Sequence, residues 1–193
     1  NILISVGTWT VLYFIAMMVP LPKYKAIKTS EGKPMEITRM EVLDMQNRMV
    51  SFVHGLLCCI LSFYDVTFVG NTYGSSNTAL QNFILTMSLG YFIYDTLAMC
   101  YYNLLDGGMC FHHLIVCIGL YLSLCFNASA PEIVGGLFIS EVSNPVMHFR
   151  LIIRAIGLRH TRLYELSEYS YIMIYIYFRL LKGLFVVYNT ASC

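Results

Sequence analysis

Apolar positions in this chain run on rather than recur. Six stretches, residues 2–19, 49–69, 80–104, 109–126, 133–156 and 169–188, are dominated by apolar side chains. Each approaches the roughly 20 residues a helix needs to cross about 30 Å of hydrocarbon. A soluble bundle would instead show apolar stripes at the helical period. The pattern predicts an all-α fold, a polytopic membrane helical bundle or barrel of about six transmembrane helices. The first stretch has neither the basic flank nor the small-residue cleavage site of a signal peptide and reads as a true span. Since residue 1 is Asn, the expectation is that a natural flank ahead of that span is missing.

Composition agrees with the pattern. Hydrophobic residues make up 58% of the chain and charged ones 12%, about half the charge of an ordinary soluble domain. The few basic residues cluster. Lys23, Lys25, Lys28, Lys33, Arg39 and Arg48 fall between the first two stretches, and Arg154, Arg159 and Arg162 follow the fifth. Lys and Arg bias short loops to the cytosolic side, so both connections are expected there. The connections at 70–79 and 127–132 hold no basic residue and are expected on the lumenal or extracellular side. The resulting organisation is a first transmembrane helix over 1–20, a cytosolic basic loop over 21–48 and a helical bundle over 49–193.

Ionisable groups inside apolar stretches are costly unless they face a protein interior or a water-filled cavity, so they mark candidate sites. The adjacent pair His112 and His113 opens the fourth stretch. Asp95 lies about 10 residues, or roughly 15 Å, from the cytosolic end of the third. His54 falls a few residues into the second, His148 and Arg150 in the cytosolic half of the fifth, and Arg179 near the middle of the sixth. Glu141 lies near mid-bilayer, too deep to reach water by extending its side chain. If these groups face one another, the bundle encloses a polar chamber opening toward the cytosol.

Each also has a plainer role. The paired histidines suit a solvated helix end, Asp95 suits interhelical hydrogen bonding, Arg150 and Arg179 can extend to an interface, and Glu141 suits an ion pair with Arg179. Pro145, in the same stretch as Glu141, is expected to kink its helix. Several sharper chemistries fall away. A di-iron hydroxylase needs about eight histidines, and the chain has five. Adjacent histidines on a helix diverge by about 100°, so no metal site is expected. The seven cysteines are scattered, and no phosphate-binding glycine loop or nucleic-acid patch is present.

The order Arg48-x-x-Ser51-x-x-His54-Gly55, Gly90-Tyr91-Phe92-x-x-Asp95, His112-His113, Glu141-x-Ser143-x-Pro145 with Arg150 downstream, and Phe178-Arg179-Leu180 resembles the TLC (TRAM, Lag and CLN homology) membrane proteins, from about Arg48 to the C-terminus. The likeness is greatest to the small TLC-domain-containing proteins. It implies a helical barrel in the endoplasmic reticulum membrane, acting on membrane lipids, with a fatty acyl or sphingoid lipid as partner, and a further span beyond Cys193. In the related ceramide synthases paired histidines lie at the active site and acyl-CoA is the acyl donor. That likeness implies a nucleophile or general base at His112 or His113, assisted by Asp95, with His54, Glu141, His148, Arg150 and Arg179 around the ligand.

The chain also departs from those enzymes. Their His-Asp-x-x-Asp motif aligns here with Ile133, Val134 and Leu137, so its acids are absent and ceramide synthase activity is not expected. A histidine base then needs an orienting carboxylate from elsewhere, Asp95 or Glu141. Two readings follow: a protein that binds or regulates membrane lipid without a resident cofactor, and a histidine-dependent acyl-CoA-linked acyltransferase. Oligomeric state is not encoded in any of these features.

Overall fold

Hydroxyl and carboxylate side chains set where the helices begin. Thr38 and Thr78 each form a reciprocal cap with the residue three positions on, Glu41 and Gln81, satisfying amide groups that a helix start leaves free. Asp106 and Thr161 accept from the amides of Met109 and Tyr164 in the same way. In the computed structural model, which describes residues 1–28, 33–69, 72 and 74–184, these caps open helices α2 (Arg39–Tyr64), α3 (Ala79–Tyr101), α4 (Gly107–Phe126) and α7 (Arg162–Tyr175). Helix α1 (Ile2–Met17) precedes them, and α5 (Ala130–Glu141) and α6 (Asn144–Ala155) lie between α4 and α7. Strands β1 (Tyr24–Lys28) and β2 (Pro34–Glu36) pair antiparallel ahead of α2. Wider π-helical turns extend α2 through Asp65–Val69 and α7 through Ile176–Lys182.

Two expectations are corrected. The described part of the basic segment expected as a loop over 21–48 holds two strands and the start of α2, because Thr38 caps that helix ten residues ahead of the apolar run. Its hairpin is fastened to the bundle by the Lys25–Glu41 ion pair at 2.5 Å and by the Ala26 amide donating to the Ile156 carbonyl at 2.9 Å. The fifth stretch is not one continuous helix but two, α5 and α6, meeting at Val142 and Ser143. Pro145 has no N–H to continue the ladder back to Glu141, so the expected kink is a break. Parts of the 70–79 connection, and the sixth stretch from residue 185 to its expected end at Tyr188, lie outside the described residues, as does Cys193.

Helices α2 and α3 form the centre, with α1 against both, α4 beside α3, and α5 and α6 along α2. At Gly90 the backbone of α3 meets α1: a Cβ there would stand 2.2 Å from Ser5 Oγ. The Met87 carbonyl accepts from both Ser5 Oγ (3.3 Å) and Trp9 Nε1 (3.0 Å) across the same contact. Just ahead of α3, Asn77 ties the α4–α5 turn to that helix, donating to the Ser123 carbonyl and Asn82 Oδ1, each at 3.0 Å, and accepting from the Ala130 amide.

The distribution of side chains is inverted relative to a soluble domain. His54, Asp95, His113 and Glu141 are buried, whereas Leu3, Phe68, Phe111 and Phe126 are exposed. Three helices, Arg39–Val69, Ala79–Tyr101 and Gly107–Phe126, are long and apolar enough to cross a membrane. In the last of these only 17% of the apolar window is buried, against 56% for α3, so α4 turns most of its surface outward.

Candidate functional site

A polar chamber of about 300 Å³ lies where α2 and α4 begin and α3 ends. Asn47, Arg48 and Ser51 reach it from α2, Tyr91 and Asp95 from α3, His112 and His113 from α4, and Arg179 from the turns after α7. Glu141, Asn144 and His148 enter from the α5–α6 break, which releases the backbone from one helical course and lets both halves aim inward.

Asp95 is held from two sides. Its Oδ1 accepts from Asn47 Nδ2 at 2.7 Å, and its Oδ2 stands 3.6 Å from His113 Nε2. Asn47 Oδ1 in turn accepts from Tyr94 OH at 2.9 Å. His113 Nδ1 lies 2.8 Å from Thr96 Oγ1, whose single proton goes to the Phe92 carbonyl at 2.7 Å. Thr96 therefore accepts from Nδ1–H, and the Nε2 lone pair is the atom facing Asp95. With that tautomer Nε2 has no proton to give, and Asp95 faces the ring at 3.6 Å without a hydrogen bond, so Thr96 is the group that orients the imidazole.

His54 sits behind the chamber wall rather than in it. It stacks on Tyr91 with ring centroids 3.7 Å apart, takes the edge of Trp9, and places Nε2 3.3 Å from Ser88 Oγ. Its Nδ1 has no hydrogen-bond partner and lies 3.8 Å from Glu141 Oε2. Glu141 Oε2 accepts from Asn144 Nδ2 at 2.9 Å, and Asn144 Oδ1 accepts from Arg179 at 2.7 Å, so one amide separates the acid from the cation. The direct ion pair between Glu141 and Arg179 suggested by the sequence is not formed.

His112, the exposed member of the pair, stands at the chamber edge, and His148 lines it with a buried Nδ1 that has no partner. Arg150 does not reach the chamber. Its guanidinium binds Glu168 at 3.0 Å and lies 5.0 Å over Tyr171, latching α6 to α7. Of the eight candidate residues, six meet at the chamber, His54 backs it and Arg150 lies outside. Asn47, Thr96 and Asn144 were not singled out in the sequence. Asn47 falls in the polar stretch taken for a loop, and Thr and Asn at helical positions carry no signal until a partner from another helix is known.

A larger groove, about 860 Å³, runs between α1, α2 and α3 along Trp9, Leu12, Val53, Leu57 and Phe83. Among the described residues no Asp, Glu, His, Lys or Arg lines it, so it offers volume for an apolar chain but no chemistry. Among the same residues no three His, Cys, Asp or Glu side chains converge as metal ligands.

Residues 44–193 match the family model of the TLC domain. TLC domain-containing protein 4 A of Dictyostelium discoideum is 25% identical over 189 residues, covering 93% of this chain and 72% of the relative. TLC domain-containing protein 2 of Danio rerio is 23% identical over 152 residues, covering 75% of this chain and 61% of that protein. No solved structure matches significantly. The family model's match begins at Asp44, the first chamber-lining residue of α2, and takes in every residue that lines the chamber, and on that match the chain belongs to the TLC domain family.

Proposed function

We propose that the chamber receives the polar end of a membrane lipid, entering from the cytosolic side, while the lipid tail stays among apolar helix faces. The observation that carries this reading is a polar cavity walled by the buried carboxylates of Asp95 and Glu141, the buried imidazole of His113 and the part-buried guanidinium of Arg179, inside a bundle whose outer surface is apolar. Such groups are retained at membrane depth where they meet a polar guest. About 300 Å³ equals the liquid volume of roughly ten waters, enough for a head group and too little for a whole lipid. The chain then acts in lipid homeostasis by binding or regulating membrane lipid. Its six spans, the fifth broken at Val142 and Ser143, lie in the endoplasmic reticulum membrane, with the basic hairpin on the cytosolic face.

The test is photolabelling of the purified chain with a lipid carrying a diazirine next to its head group. Labelled peptides are expected from the chamber segments of α2, α3 and α4, with labelling suppressed by excess unlabelled lipid. Labelling confined to outward residues such as Phe111 and Leu114, without competition, defeats the reading.

A second reading has its own support in the contact of His113 Nδ1 with Thr96, which leaves a lone pair on Nε2. An imidazole nitrogen attacks the thioester carbonyl of acyl-CoA, the C–S bond breaks, and the CoA thiolate leaves as the acyl group stays on the ring. Incubation with radiolabelled acyl-CoA is then expected to give a hydroxylamine-sensitive adduct that His113→Ala abolishes. No adduct, with lipid labelling intact, removes the enzyme reading and leaves the binding one.

A further inference from the structure

We propose that Arg179 is the seat of an anionic group on the ligand, a phosphate or a carboxylate. This rests on the reading of the chamber as a lipid site and adds the charge of the head group it takes.

The argument is one of unused hydrogen-bond donors. Arg48, the other guanidinium at the chamber, is paired with Asp44 at 2.7 Å. Asp95 is held by Asn47 and faces His113, and Glu141 is held by Asn144. Arg179 has only neutral partners. Its Nη2 donates to the Ser140 carbonyl and to Asn144 Oδ1, its guanidinium lies 5.2 Å from the Tyr175 ring centre, and its buried Nε has no partner. A guanidinium has five N–H donors, so part of its fork is unused. A buried N–H without an acceptor keeps an uncompensated desolvation cost. The planar fork matches the paired oxygens of a carboxylate or phosphate.

The surroundings fit the same guest. Ser140, next to last in α5, offers Arg179 a carbonyl of the kind that helix ends leave free, and this bond fixes the guanidinium at the chamber wall. His148 also lines the chamber, with its Nδ1 buried and unpartnered behind the wall. Glu141 also lines the chamber and opposes an anion. Asn144 answers that opposition by binding the Glu141 carboxylate through its amide nitrogen, leaving its oxygen, rather than the acid, on Arg179.

The experiment uses the full chain in phosphatidylcholine nanodiscs with three single-chain probes: oleate, oleoyl-lysophosphatidic acid and neutral monooleoylglycerol. Both anionic probes are expected to bind, with the tighter one identifying carboxylate or phosphate as the natural group. Arg179→Gln is expected to weaken the anions by about tenfold to a hundredfold, the range of one or two charge-assisted hydrogen bonds, and to leave the neutral probe unchanged. Asn144→Asp places an internal carboxylate on Arg179 and is expected to weaken the anions similarly with the guanidinium still present. It reports independently if Arg179→Gln does not fold. Equal binding of neutral and anionic probes, or anion binding unmoved in the variant that folds, overturns the seat at Arg179 while leaving the lipid chamber standing. Failure of all three probes to bind overturns the chamber reading itself.

Discussion

Asp95→Ala is expected to lower the stability of the folded chain by about 3 kcal/mol or more, the cost of breaking a buried polar network by removing one member. Asp95 is 3% exposed, and its loss leaves Asn47 Nδ2 without the acceptor it meets at 2.7 Å and His113 Nε2 without the group 3.6 Å away. Asn47 also holds Tyr94, so the disturbance passes along α2 and α3 together. Asp95→Asn tests whether shape or charge matters. Its amide oxygen can accept from Asn47 and its amide nitrogen can donate to the His113 lone pair, so it is expected to cost about 1 kcal/mol or less, a typical net hydrogen-bond difference. Thermal melting in detergent with a thiol-reactive dye reads both variants, since the chain has seven cysteines. Equal losses in the two would show that the carboxylate charge holds the network; no loss in Asp95→Ala would show that the network carries no stability.

The second large effect falls at the seam between α1 and α3. A Cβ at Gly90 would stand 2.2 Å from Ser5 Oγ, 2.5 Å from Ser5 Cβ and 3.0 Å from the Ser5 carbonyl carbon. The middle atom is anchored to the backbone and cannot rotate away, so α1 must move. Gly90→Ala is expected to cost about 1–3 kcal/mol, the usual range for overpacking, and Gly90→Val more. Moving α1 also strains the bonds from Ser5 and Trp9 to the Met87 carbonyl and withdraws Trp9 from the edge of His54. Trp9 is the single tryptophan in the chain, so its quenching by brominated acyl chains reports the movement and is expected to rise in Gly90→Val. Ser5→Gly removes the two nearest atoms but not the carbonyl carbon, so the double variant with Gly90→Ala is expected to recover part of the lost stability. Gly90→Val with wild-type melting and quenching would mean that α1 does not pack on α3 at this point.

The chamber residues were readable one at a time. His112, His113, Asp95, Glu141, His148 and Arg179 each stand out as a polar group in an apolar run, and six of the eight marked residues meet in one space. Arg150 carried the same signal and went elsewhere, because Glu168 on α7 was near enough to bind it. Charge at membrane depth therefore announces that a residue needs a partner without saying which one.

The sequence settled the existence and approximate extent of α1, α3 and α4, since an apolar run is a local property and its length maps directly onto a helix. Family membership was equally legible, carried by motifs in order along the chain. Two things emerged only when helices met. They are the tautomer that Thr96 sets on His113 and the neutral amide that keeps Glu141 from Arg179. Each depends on where a donor or acceptor from a distant part of the chain arrives. A hydrogen bond is decided by separations of tenths of an ångström, which spacing along a sequence does not contain.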